Sequence, residues 1–269
     1  MKNSFYSCDA SASESVTLRE QMRAAQAFEA AGKFSQAYNL LQKCNEQLEA
    51  SASDADFSST DAMAVKSALW RLSPLWWAKL QHGGLCLRRC RAEDAEFFQK
   101  SFNDPVFSRQ FNRQKPWRGN LARALEQSGQ LPPLQTGLLM WVVESATSGP
   151  IGIASLSSLD TVNLRAELSI GFPGAVAPTL GTKATLMMLH FALVMMPFNK
   201  VYTYVYQDNP QALHNTLRLG FVHEGTLKDH FNIPNHGFVS VDVTGLTRSQ
   251  LHGSIYLKHL AKRKIGQVW

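Results

Sequence analysis

Cysteine is scarce, with four residues in a chain of 269. Cys8 and Cys44 stand alone, and Cys86 and Cys90 lie four apart on an expected strand, a spacing that fits no common zinc or redox pattern. A disulfide framework is therefore excluded, no metal is expected, and the thiols should be reduced and mostly buried. Long apolar runs are also missing. The longest, Leu186 to Phe198, holds 13 residues and includes His190, too short to cross a bilayer. The opening MKNSFYSCDASASES has no apolar h-region. These absences lead to the expectation of a soluble, cytoplasmic protein. Acidic residues are the minority charge, 21 against 27 basic, giving a net charge of +6 and a pI near 9.2. Phosphates of a small ligand, an acidic carrier protein, nucleic acid or anionic lipid would each suit that balance, and so would ordinary solubility.

With 45% hydrophobic residues, the chain has room for one domain and an appendage. Residues 1–15 are polar and rich in Ser and Ala, an expected disordered lead-in. A helical segment follows over 16–80. Within it, AAGKFSQAYNLLQKCNEQL resembles the second half of a tetratricopeptide repeat, with Phe34, Ala37, Leu41 and Cys44 at nesting spacing; a generic helical hairpin fits as well. A lone repeat cannot bury its own face, so it must dock on the main domain, on a second subunit or on a partner protein. SASDADFSSTD is a polar linker before a helix over 62–72, and the adjacent Trp76 and Trp77 are expected to pack between domains. His82-Gly83-Gly84 marks an expected domain boundary.

Beyond it the periodicity predicts strands at 85–91, 138–144, 149–159 and 165–172, helices at 92–102 and 182–196, and a final strand pair within 222–246. In the fourth strand Ala166, Leu168, Ile170 and Phe172 face one way, and Arg165, Glu167, Ser169 and Gly171 the other. Residues 109–128 are basic and read as helical; their arginines either flank a cleft or form a solvated face. His223, His230 and His236 are spaced so that they share no face, which favours surface histidines over a metal site. A basic helix over 251–265, within a terminal segment 249–269, either meets an acidic partner or membrane or is simply solvated.

The best specified stretch is Lys200 to Phe221. Val201, Thr203 and Val205 alternate with Tyr202, Tyr204 and Tyr206 as a strand buried on both faces. Asn209 stands as N-cap, Pro210 at the first helical position, and Gly220 at the left-handed C-cap, after which Phe221 re-enters the core. Ala212, Leu213, Thr216, Leu217 and Leu219 are expected to form a packed helical stripe.

The string DNPQALHNTLRLGFVHEGTLKDH resembles the acyl-CoA-binding half of the GNAT N-acetyltransferases, in the branch that acetylates ribosomal-protein N-termini and small amines. LCLRRCRAEDAEFFQKSFNDP is similar to that family's opening, so the resemblance extends over 85–248. It implies an α/β fold, a GNAT-like mixed sheet flanked by helices, here with an N-terminal helical appendage. It also implies acyl transfer from acetyl-CoA, or another acyl-CoA, to a primary amine on a small molecule or a protein N-terminus; nucleic acid is not expected as a partner. In such domains two parallel strands splay and the donor's pantetheine lies between them. Ser169, Ile170 and Phe172 would line it, Thr179, Leu180, Gly181, Thr182 and Lys183 would meet its phosphates, and Asn209 would start the neighbouring helix. Glu167 is the implied general base.

Two departures from the family pattern bear on mechanism. At the pyrophosphate loop Pro178 removes an amide donor and Thr179 restricts the backbone where glycine is usual, with Lys183 in reach to restore charge. Donor binding should then be weakened, or the acyl group presented on an acyl carrier protein. Thr216 stands where a tyrosine acid is frequent, and a hydroxyl is a weaker acid than a phenol; Tyr206 and His214 are alternatives. A catalytically inactive scaffold that binds proteins through its helical segment is the rival expectation.

Overall fold

The computed structural model describes residues 17–50, 59–111, 119–233 and 237–269. Cys8 and His236 lie outside them, as do most of the expected linker and part of the basic 109–128 segment. The chain divides into two compact units, 1–73 and 74–269.

The first unit is helical. Its three helices are α1 (Leu18–Ala30), α2 (Phe34–Ala50) and α3 (Ser59–Arg71). Thr17 and Glu20 close a reciprocal capping box at the start of α1. Ala37, Leu41 and Cys44 are buried together with Leu18, Ala25, Val65 and Leu72, so the apolar stripe expected of α2 is satisfied within the unit. Arg71 of α3 makes a two-pronged ion pair with Glu29 of α1, the shorter contact at 2.7 Å.

The second unit carries the sheet. A single-turn helix, Pro74–Trp77, leads into β1 (Leu80–His82) and β2 (Leu85–Arg89). The Gly83-Gly84 pair therefore turns a hairpin inside this unit and does not separate domains. Trp76 is fully buried against Phe191 and Phe198, at centroid separations of 5.9 and 6.3 Å, and so belongs to this unit's own core. Three helices follow: α4 (Ala95–Asn103), α5 (Pro105–Phe111) and α6 (Leu121–Gln130). After a short α7 (Pro133–Thr136) come the long meander β3 (Leu138–Ser145), β4 (Gly149–Asp160) and β5 (Arg165–Gly171). Then follow α8 (Pro178–His190), β6 (Lys200–Tyr206), α9 (Pro210–Arg218), β7 (Val222–Ile233), β8 (Gly237–Thr247), α10 (Arg248–Gly253) and α11 (Ile255–Ile265).

The eight strands form one sheet in the order β1-β2-β3-β4-β5-β6-β8-β7. Every neighbouring pair is antiparallel except β5 and β6. Residues 139–143 of β3 are almost wholly buried because both faces of the strand are covered. Met140 and Val142 pack with Phe98, Phe107 and Leu125 of α4 to α6. Trp141 points to the opposite face, where it meets Phe191 at 5.3 Å, edge to face. Rings of this size each bury on the order of 150–250 Å², so these two layers hold much of the hydrophobic stabilisation. Arg88 ties β2 to the start of α4 and to β3, donating to both carboxylate oxygens of Asp94 and to Glu144. All four thiol-bearing positions except Cys8 are accounted for as free, buried cysteines, and burial pushes the Cys90 thiol up to about 12.

Several element boundaries differ from expectation, and two of them have a plain physical reason. The α8 helix begins at Pro178, four residues before the expected Thr182, because proline at the first position has φ already set and no N–H to satisfy. It runs on through a π-helical turn over Phe191–Met195 to the expected end. The terminal helix is two, since the hydroxyl of Ser254 accepts from the Leu257 amide and starts α11 afresh.

Candidate active site

The parallel pair β5 and β6 is the origin of the site. Their register runs Arg165 to Lys200, Ala166 to Val201 and Glu167 to Tyr202, and stops there. Beyond it β5 stays bonded to β4, and β6 stays bonded to β8 along its whole length. Residues 168–171 and 203–206 therefore leave their facing backbone edges without a strand between them. A break in the β4–β5 register between Ser157 and Asp160 lies beside the fork, and Ser158 there has φ of 51°. Such bulges bend and twist a strand.

The gap opens into a cleft of about 1140 Å³. Leu168, Ser169, Ile170, Gly171 and Phe172 form one wall, and Thr203, Tyr204, Val205 and Tyr206 the other. Phe107 and Phe111 of α5 reach in beneath Gly171, where a Cβ would stand 2.7 Å from the Phe111 ring. Only glycine lets α5 come this close. The first turn of α8 contributes Pro178, Thr179, Gly181 and Thr182. From α9 come Asn209, Ala212, Thr216 and Arg218.

Asn209 does what its position in the sequence suggests. Its Oδ1 accepts from the Ala212 amide at 3.1 Å, with Pro210 next to it at the helix start. At the other end Gly220 has φ of +83°, and a Cβ there would stand 2.8 Å from Leu257 of α11. Phe221 is buried beyond it. The expected packed stripe of α9, however, is not a core stripe. No residue within the helix is fully buried and Leu217 is 40% exposed, whereas Leu219, just past the helix end, is the one stripe member in the core. Ala212 and Thr216 instead face the cleft, because α9 borders the opening.

Of the residues singled out from sequence, Ser169, Ile170, Phe172, Thr179, Gly181, Thr182, Asn209 and Thr216 meet at this cleft. Glu167 lies one step behind it, in the last paired position of the fork. Leu180 is outside the lining, its amide bonded to the Ala177 carbonyl at 2.8 Å. Lys183 is outside as well: its Nζ lies beside the β1–β2 turn, 3.7 Å from where a Gly83 Cβ would stand. The Thr216 hydroxyl donates to the Ala212 carbonyl at 2.8 Å, so its proton is already engaged within the helix. Tyr206, 6% exposed, sits on the opposite wall. Tyr202 is next to Glu167 in register, and its phenol is held above the ordinary range chiefly by burial, with Glu167 adding to the effect.

Sequence reasoning missed the contribution of α11. Tyr256, Leu260, Arg263 and Lys264 line the cleft from beyond the expected domain. The basic run was visible in the sequence, but nothing local told where its helix would lie.

This sheet, with one parallel pair parted beside two helices, is a GNAT-like fold. The family model for the acetyltransferase (GNAT) domain matches residues 84–222, and the chain belongs to that family. A spermidine N(1)-acetyltransferase of Vibrio cholerae is 32% identical over 98 residues, covering 35% of this chain and 54% of the relative. The matched stretch thus spans about half of that protein. Among solved structures, a chimera of the Vibrio cholerae spermidine N-acetyltransferase SpeG with hSSAT aligns at TM-score 0.52 and 21% identity, covering 62% of this chain and 98% of its own. The spermidine/spermine N-acetyltransferase SpeG in complex with manganese ions aligns at TM-score 0.52 and 22% identity, over 63% of this chain and 96% of its own. At these identities the structural likeness shows the fold. Of the two acceptor classes expected, the small amines are the ones these relatives carry in their names.

Proposed function

We propose that the protein is an N-acetyltransferase that moves an acetyl group from acetyl-CoA to the primary amine of a small polyamine-like acceptor. The observation that carries this reading is the fork between β5 and β6, whose unpartnered backbone edges at 168–171 suit the amides of a pantetheine arm. Acyl transfer to an amine requires a neutral nucleophile, a polarised thioester and a proton for the departing thiolate. Glu167, at the vertex of the fork, takes the amine proton through an intervening water. The nitrogen attacks the thioester carbon, the C–N bond forms and the C–S bond breaks. A proton returns to the thiolate by way of water in the cleft, relayed by the Thr216 hydroxyl that the Ala212 carbonyl engages; the Tyr206 hydroxyl, the stronger acid, is sealed from the opening.

The test is acetyl transfer from acetyl-CoA to spermidine and a panel of other primary amines, followed by release of free thiol. Amine-dependent release is the expected result. Acetyl-CoA binding, seen as a raised melting temperature, with no release for any amine would replace this reading with that of an inactive scaffold.

A further inference from the structure

Charge is unevenly distributed around the cleft. Among its described lining residues the cations are Arg218, Arg263 and Lys264, and the one carboxylate is Asp104. Among the described residues, none of the three cations has an acidic partner within 4.0 Å. Arg218 comes from the last turn of α9, and Arg263 and Lys264 from the last turn of α11. The last turn of a helix carries partial negative charge, so α11 without these residues would present an unfavourable end to an anion. With Lys262, Arg263 and Lys264 there, that end becomes net positive. Lys262 is exposed and outside the lining, whereas Arg263 and Lys264 face the cleft and Lys264 is half-buried.

The helix is firmly placed. Leu257, Leu260, Ala261 and Ile265 are buried, Leu257 lies against Gly220, and Trp269 beyond the helix stacks on His190 of α8 at 5.8 Å. The cations are thus held on a packed element at the cleft that also receives the first turn of α8. That turn is a poor anion cradle by itself: Pro178 offers no amide, Leu180 uses its own on Ala177, and Lys183 points elsewhere.

We propose that α11, which lies outside the matched family domain, is part of the donor site, with Arg263 and Lys264 joining Arg218 to bind the phosphates of the CoA nucleotide. The assignment rests on the acetyl-CoA reading above. It makes the helix a specificity element, because the grip falls on groups that CoA has and a bare pantetheine arm lacks.

The experiment compares acetyl-CoA and S-acetylpantetheine by calorimetric titration of the full chain. Arg263→Ala with Lys264→Ala should weaken acetyl-CoA binding about tenfold or more while leaving S-acetylpantetheine unchanged. Lys262→Ala removes one positive charge from the same turn, outside the lining, and should keep wild-type affinity. Equal acetyl-CoA affinity in the double variant and the wild type overturns the assignment and leaves the functional reading standing. Wild-type protein that binds S-acetylpantetheine as tightly as acetyl-CoA also overturns it, and points to a carrier-borne donor. Wild-type protein that binds neither compound overturns the functional reading itself. Should the double variant melt well below the wild type, the salt response of the wild type decides. Acetyl-CoA affinity must fall as salt rises while S-acetylpantetheine affinity stays level, and a flat acetyl-CoA response overturns the proposal.

Discussion

Two strand pairs in the same sheet contrast sharply. β3 and β4 remain in register from Leu138–Ser157 to Ser145–Gly149, with one slip near Val143. β5 and β6 part after Glu167 and Tyr202. β3 is a continuous apolar run and β5 alternates, but neither pattern tells where a strand pair will part. Neighbours make the difference. β3 and β4 are packed on both faces where they pair, while beside the fork β4 bulges against β5 and β5 has a glycine where α5 closes in. The site is built from backbone that the sheet leaves unused, and its side chains mostly position and shape the opening.

The largest test of this contrast is chemical. Glu167→Gln should lower amine acetylation by about a hundredfold or more and leave acetyl-CoA binding near wild type, as measured by turnover beside titration. Unchanged turnover across pH would take Glu167 out of the mechanism. Next is the open half of the pair. Gly171→Leu should collide with Phe107 and Phe111, costing about 1–3 kcal/mol of stability in denaturant unfolding and weakening donor binding. A glycine replaced in that place without loss would mean that α5 yields easily, and that the close approach does not define the wall.

A smaller effect is expected at the rim. Asn209→Ala removes the cap of α9 and should cost about 1 kcal/mol; stability equal to wild type would show that the main-chain turn at Asn209 suffices. The smallest concerns the outer strands, where structure should respond to pH independently of the fork. Asp242 accepts from Thr226 at 2.6 Å and contacts His223, and these bonds hold its carboxyl below the ordinary range. Its contribution is therefore present above the unfolded carboxylate range and is lost as pH falls through the lower folded value. Asp242→Asn should flatten the part of the acid stability curve below about pH 4, and an unaltered curve would remove this aspartate from acid unfolding.

Much of the second unit was legible one element at a time. The N-cap at Asn209, the left-handed Gly220, the buried Phe221 and the inward Ala166 and Leu168 all follow from local rules, because capping, φ preference and a two-residue period need no knowledge of distant contacts. The same rules misplaced the start of α8, where Pro178 reads as a loop residue unless its preference for the first helical position is given precedence. They could not tell that Trp76 enters the core of the sheet unit, that Gly83-Gly84 turns a hairpin, or that Lys183 leaves the cleft. Residue types, periods and caps were thus determined by the sequence itself. The parting of β5 from β6 and the arrival of Arg263 and Lys264 at the cleft were decided only by the tertiary structure, since each depends on how elements far apart in the chain compete for the same space and the same hydrogen bonds.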